Sequence, residues 1–432
     1  MKGDFSRFTF DQSSPYSRVL MQQGRVLLDA DWNESAEIQT YYLRALARDL
    51  IGPHGAPATE DGDDGTGFSL QKSVDNNKAE MKNDFSIVDG HYYVQGILCR
   101  NDAALSYRAQ ADWPDDGVAF GTGPYLVYLD VWERHITPTE TGDVLADPAL
   151  GGADTCSRAR IVWQVKTLAL DAAPNPLDLF KSNYQAFLKA LKLPATGRLS
   201  ARVDKPADAD SPCLLAPESR FRGTENQLYR VEIRRGSPEP TFVWSRENGS
   251  EIYPVDNVSG SVITLASIGR DDRSRLQPDD YVELVDDTYT LRNGADPLLQ
   301  VTIVTSEANQ VTLSAPLSRT DGTHHYLRRW NSAEIDIQSA TAAGVNGWID
   351  LEDGVQVKFD PKGVYATSEY WTIPARTATG NVIWPQDQEK PAFRDPQGVP
   401  HAYAPLGLVS FKADRTIDQL TDLRRKIIKT WK

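Results

Sequence analysis

Apolar and polar residues alternate with a period of two along most of this chain, the mark of strands with one face buried. "NDFSIVDGHYYVQGILCRN" reads as a hairpin around Asp89-Gly90, a turn pair that tolerates positive φ. "GPYLVYLDVWERHI", "SRARIVWQVKTLAL", "NQLYRVEIRRG" and "TFVWSRENGS" read as further strands rich in β-branched and aromatic residues. "GWIDLEDGVQVKFD" predicts a second hairpin with Asp353-Gly354 at its turn, and "SEYWTIPA" another strand. Over residues 255–327 four short strands recur between turn residues, a spacing that predicts a small antiparallel barrel inserted in the larger β-domain.

Helical spacing is confined to three places. One is "DWNESAEIQTYYLRALARDLIG", one is residues 176–193 (Leu177, Phe180, Tyr184, Phe187, Leu188, Leu191), and one is the C-terminal "TIDQLTDLRRKIIKTW". The prediction is a β-dominated α+β protein: antiparallel sheets in a sandwich, a small inserted barrel and about three accessory helices. Its parts are an arm and capped helix (1–52), a main β-rich domain (53–254), the barrel (255–327), and a return to the main domain ending in a helix (328–432).

The first helix carries the densest chemistry. Asp29, Asp31 and Glu34 follow the apolar run Val26–Leu28. Asp31 sits where an N-cap belongs and Glu34 three residues later, the capping-box spacing that satisfies the orphan amides of a first turn. Trp32, Ala36, Leu43, Leu46, Ala47 and Leu50 then form one stripe, with Trp32 expected as a core anchor. A divalent site from Asp29, Asp31 and Glu34 is the competing reading. Hard cations want six or more oxygens, and no glycine-containing loop wraps these three around a point.

Composition narrows the function. The chain has 432 residues, 40% of them apolar, so it can build sizeable cores. Its 46 basic and 60 acidic residues leave a net charge of −14, the wrong sign for a phosphate backbone or an anionic lipid surface. Three cysteines (Cys99, Cys156, Cys213) allow no disulfide framework and no CxxC metal motif. No stretch is long and apolar enough to predict a membrane span, and "MKGDFSRFTFDQSS" has no secretory core, so cytoplasmic synthesis is expected.

Other chemistry is sparse. "EDGDDGTG" contains a fragment of a calcium loop at residues 60–65, but Lys72 stands where its bidentate acid belongs. His324 and His325 are adjacent and would point to opposite faces of a strand, while His91, His135 and His401 stand alone, so no zinc site is expected. Glu133, Glu232 and Glu247 are the carboxylates from which a glycoside-cleaving pair could be drawn. Nucleophile elbow, phosphate loop and dinucleotide fingerprint are all missing, so neither a catalytic residue nor a cofactor is expected.

Four segments carry a resemblance: "MKGDFSRFTFD" with "GRVLLDADWNE", "ENQLYRVEI" with "TFVWSRENGS", "GWIDLEDGVQVKFD" with "YWTIPARTATGNVIWP", and "HAYAPLGLV". Together they resemble a bacterial domain-of-unknown-function family found in gene neighbourhoods of phage-tail-like contractile injection particles. The resemblance implies a non-enzymatic structural role in baseplate, fibre or outer decoration, binding neighbouring subunits, with a homo-oligomer expected and release from the cell in the particle. The arm suits that setting, since Phe5, Phe8, Phe10 and Tyr16 could anchor in a partner's grooves or dock on their own domain. The alternative is an attachment protein that binds surface glycans, with Trp113, Trp371 and Trp384 as sugar platforms; a polysaccharide-cleaving enzyme is the third reading.

Overall fold

The computed structural model describes residues 1–57, 67–74, 79–113, 117, 119–141, 145–151, 153–171, 179–191, 196–204, 220–269, 271–292, 294–317, 319 and 323–427. The acidic loop at 60–65 and Cys213 lie outside these residues. The protein is β-dominated, as expected, with three main cores among the described residues.

The first core lies between two four-stranded sheets. One sheet is centred on Tyr125–Ile136, which pairs along its whole length with Arg158–Ala169 and on its other side with Ala402–Phe411, itself flanked by Ile417–Asp422. Val127, Leu129 and Val131 of this strand face the first core, while on its other face Leu126 belongs to a cluster with Phe180 and Phe187 and Trp132 to one with Leu291, which is why "LVYLDVWERHI" is almost continuously covered. The other sheet runs from Lys426–Ile427 through His54–Pro57 and Gly90–Val94 to Ile97–Asn101. Phe68, Phe85, Tyr92, Leu129 and Phe411 fill the space between.

The second core packs the five-stranded sheet 335–336, 241–245, 227–235, 370–376, 381–382 on the three-stranded sheet 199–203, 355–359, 349–350. Tyr229, Phe242, Phe359 and Trp371 meet inside it. The third core is the interior of the barrel, closed by six strands within Ile252–Trp330, three residues wider at each end than the spacing predicts. Asp353 and Gly354 both have positive φ, 49° and 83°, so the second predicted turn forms where expected.

Several expectations are corrected. The first hairpin turns at Gln95-Gly96, not at Asp89-Gly90, and joins Gly90–Val94 to Ile97–Asn101. The backbone of Arg44 explains that choice: a Cβ at position 96 would lie 2.5 Å from the Arg44 carbonyl oxygen, so glycine there lets a helix approach. The helix near 176–193 is, over the described residues, two short ones, Leu179–Ser182 and Tyr184–Ala190, split where the Asn183 side chain caps the second. The C-terminal helix does not form over 417–427, and residues 428–432 lie outside the described ones. Ile417 is buried and its segment extends the first sheet, then residues 426–427 pair in parallel with 56–57; edge pairing outweighs a helical periodicity there.

The first helix, α1, spans Asp29–Ile51. It begins two residues before the expected cap, with Leu28 as N-cap and no side-chain cap bond, so the capping box of Asp31 and Glu34 is absent. Nor does a strand precede it: Val26, Leu27 and Leu28 are exposed coil. Trp32, expected in the core, is 65% exposed.

Candidate functional site

The side chains of α1 divide in the reverse of the usual sense, with several of its charged groups facing the protein. Arg44 donates from Nη1 and Nη2 to the two carboxylate oxygens of Glu133, at 3.2 and 2.8 Å. Asp29 accepts from the Ser6 amide and hydroxyl at 2.9 and 2.6 Å, and Glu34 accepts from the Thr9 hydroxyl at 2.5 Å. Two of the three acids that resembled a cap or a metal site, Asp29 and Glu34, therefore clasp the N-terminal arm. Only Ala30 and Ile38 are buried along the helix, while Leu43, Leu46 and Leu50 are 67%, 57% and 76% exposed. Twelve of the 22 exposed large apolar side chains among the described residues fall within residues 8–50, about a tenth of the chain. Chains that remain single in water rarely concentrate their apolar surface in this way.

The arm that α1 clasps runs into a cleft between the five-stranded sheet and the barrel. Lys2 Nζ lies 2.8 Å from Glu232 Oε1 and 5.4 Å above the Trp330 ring. The Met1 amine donates to the Tyr370 hydroxyl, and the Asn248 amide donates to the carbonyls of Met1 and Gly3. Beneath them is a buried network of charge. Glu232 accepts from Arg230; Glu283 accepts from Arg234, from Arg328 and from the Tyr289 hydroxyl. Burial raises the Glu283 carboxyl, but Arg234, Lys2 and Arg328 outweigh it and hold the group down at about 2. A cavity of about 120 Å³ opens beside this network, with Trp132, Glu133, His135 and His401 in its wall. His401 stacks on Trp132 at 4.8 Å and its Nδ1 lies 2.7 Å from Asp130 Oδ1. Burial, reinforced by the Met1 amine and two arginines, lowers the His135 imidazole to about 3, so it is neutral.

A family model described as a family of unknown function, DUF6519, matches residues 1–193 and 182–415. The chain belongs to the DUF6519 family. The match covers the residues of α1, of the cleft and of the barrel. No curated protein and no solved structure matches it.

The DUF6519 chain places its other candidate residues as follows. Phe5 packs on Phe8 and on His135, and Phe10 on Tyr41, so these arm aromatics dock in part on their own domain; Phe8 and Tyr16 keep exposed faces. Trp371 is buried, with its indole N–H donating to the Arg394 carbonyl, and is unavailable as a sugar platform. Trp113 and Trp384 are half-buried, Trp384 donating to the Ala392 carbonyl. His324 has a φ of 53°, which bends the chain, and its Nδ1 lies 2.8 Å from Asp287 Oδ2. No group of three or more metal-ligating side chains occurs among the described residues, and no described helix is long and apolar enough to cross a membrane.

Of the three glutamates, Glu133 and Glu232 line the same cavity, but each is engaged by cations, Glu133 by Arg44 and Glu232 by Lys2 and Arg230. Glu247 lies apart, in a second cleft of about 380 Å³. Its side chain is 9% exposed and neither oxygen accepts a hydrogen bond; the nearest guanidinium nitrogen belongs to Arg329 at 3.5 Å. Burial raises its carboxyl against the pull of Arg329 and Arg246.

Sequence reasoning missed Lys2, Glu283 and Arg328, and the pairing of Arg44 with Glu133 and of Arg234 with Glu283. One signal was available: in "RVEIRR", "YVELV" and "YLRRW" charged residues sit within otherwise apolar strands, and a charge inside a double-sided strand has to be paired.

Proposed function

We propose that this DUF6519 chain is a non-catalytic subunit of a larger protein assembly, of the phage-tail-like contractile kind that its resemblance implies. The observation that carries the reading is α1: Arg44 engages Glu133 of the main β-domain and Asp29 and Glu34 hold the N-terminal arm, while its apolar stripe faces solvent. A helix that faces inward needs the opposite arrangement. The paired state of the charges in the central cleft supports the same reading, because a carboxylate acting as general acid or base has to be free to exchange protons with a substrate. The test is hydrogen exchange on the chain alone and within purified particles from a producing cell. Amides of α1 are expected to exchange at least tenfold more slowly in the particle. Absence of the chain from particles, or unchanged exchange along α1, would refute the reading.

A second reading, glycan attachment, is favoured by Glu247 and not by the tryptophans. A buried carboxylate with both oxygens unbonded, among Arg273, Arg329 and Arg376, suits a neutral ligand that donates two hydrogen bonds, such as the vicinal diol of a saccharide. Glycan-array binding should then occur and be lost in Glu247→Gln. An array on which the native chain binds nothing removes this reading.

A further inference from the structure

The exposed face of α1 has a more specific pattern than amphipathicity. Positions 32, 36, 39, 43, 46 and 50 are each separated by four or three residues, and all six are exposed. They are Trp32, Ala36, Gln39, Leu43, Leu46 and Leu50, a 4-3 repeat running about 27 Å along the helix at 1.5 Å per residue. That is the seam of a coiled coil, the geometry in which two helices present the same stripe to one another. A helix buried against a sheet of its own domain would use a wider apolar face and would not leave every seam position in water.

Resting on the assembly reading, we propose that α1 pairs with α1 of a second copy of this chain along this seam, antiparallel about a twofold axis between Gln39 and Leu43. Three features select a second copy over an unrelated partner. The stripe is self-complementary under such an axis: Trp32 meets Leu50, Ala36 meets Leu46, and Gln39 meets Leu43, so each seam leucine of one copy meets one of the three other seam residues of its partner. The positions flanking the seam, Asn33, Ser35, Thr40, Tyr42, Ala47 and Asp49, include a single charge. Two chains of net charge −14 can therefore approach along this line without a row of carboxylates facing each other. Asp31, Glu34, Glu37, Arg44 and Arg48 lie off the seam and its flanks, and antiparallel pairing opposes the two helix dipoles, the favourable arrangement for neighbouring helices. Gln39 is the one polar residue in the seam, the kind of position that sets register.

Sedimentation equilibrium of the full chain at tens of micromolar is expected to return twice the chain mass. Leu43→Glu/Leu46→Glu should return the single-chain mass with an unchanged circular dichroism spectrum, a loss of pairing of at least tenfold. Ile303→Glu, an exposed apolar residue on the barrel, should leave the mass doubled. Orientation is read in a Cys156→Ser/Cys213→Ser background: Trp32→Cys chains mixed with Leu50→Cys chains should cross-link on oxidation, and Leu50→Cys chains alone should not. A native chain that sediments as a single copy, a Leu43→Glu/Leu46→Glu pair that persists, or cross-linking of Leu50→Cys to itself would overturn the inference. If the native chain is single but α1 is protected in purified particles, this pairing fails and the assembly reading stands. If α1 is unprotected there too, both fail.

Discussion

Glu283→Ala is expected to destabilise the protein by about 3–5 kcal/mol, the usual result of removing one member of a buried ion pair. Glu283 is fully buried at the junction of barrel and sheet. Arg234 Nη1 donates to its Oε2, the Tyr289 hydroxyl reaches the same oxygen at 2.9 Å, and Arg328 Nη1 lies 3.3 Å from Oε1. Alanine leaves Arg234 and Arg328, themselves buried, without the counter-ion they share. Because Arg234 belongs to the five-stranded sheet and Glu283 to the barrel, the loss falls on the coupling between two cores. Urea unfolding followed by tryptophan fluorescence should show a lower midpoint, and the barrel should melt before the sheets. By contrast, Glu133→Ala breaks a partly exposed pair with Arg44 and should cost no more than about 1 kcal/mol. A midpoint for Glu283→Ala within about 0.1 M urea of the native one would be incompatible with this account, since typical slopes of about 1–3 kcal/mol per molar make that a negligible change.

Mild acid should also destabilise the protein, through His54. The ring is buried, with Nδ1 3.0 Å from the Tyr92 hydroxyl, and burial, aided by Arg425, lowers its pKa to about 4 from the ordinary 6.5. The folded pKa is depressed, so the neutral ring is favoured in the native state. Above pH 6.5 both states are neutral and nothing is lost. Below pH 6.5 the unfolded chain takes up a proton that the native chain refuses, and stability falls by about 1.4 kcal/mol per pH unit until the native pKa is reached. That is about 3 kcal/mol between pH 6.5 and 4. His135, lowered to about 3, acts in the same direction. Thermal midpoints measured from pH 7.5 to 4.5 should decline below pH 6.5, and His54→Gln should flatten the decline even if it lowers the midpoint at pH 7.5. A variant whose midpoint follows the native pH profile would exclude His54 as the source.

How much of this was legible in the residues depends on the range of the interaction. Tyr125–Ile136, Arg158–Ala169, the barrel repeat and the Asp353-Gly354 turn were readable because period-two patterning and positive-φ turn pairs are local signals. Asp89-Gly90 carried an equally good local signal and lost to Gln95-Gly96, where the approach of Arg44 demanded glycine. The C-terminal segment lost its helical periodicity to an open sheet edge supplied by residues 402–411. The charge network was illegible because its pairs are distant in sequence: Arg234 and Glu283 are 49 residues apart, and Lys2 and Glu232 are separated by more than half of the chain.

α1 shows the division most clearly. Its existence, its length and the position of its apolar stripe follow from 3.6-residue periodicity, which is a property of a single helix. The direction in which that stripe points is not such a property. It was decided by Glu133, Ser6 and Thr9, which give Arg44, Asp29 and Glu34 partners on the inner side and so turn the leucines outward. Periodicity states which residues share a face; only the placement of charged partners across the fold states whether that face meets the protein's own core or something else.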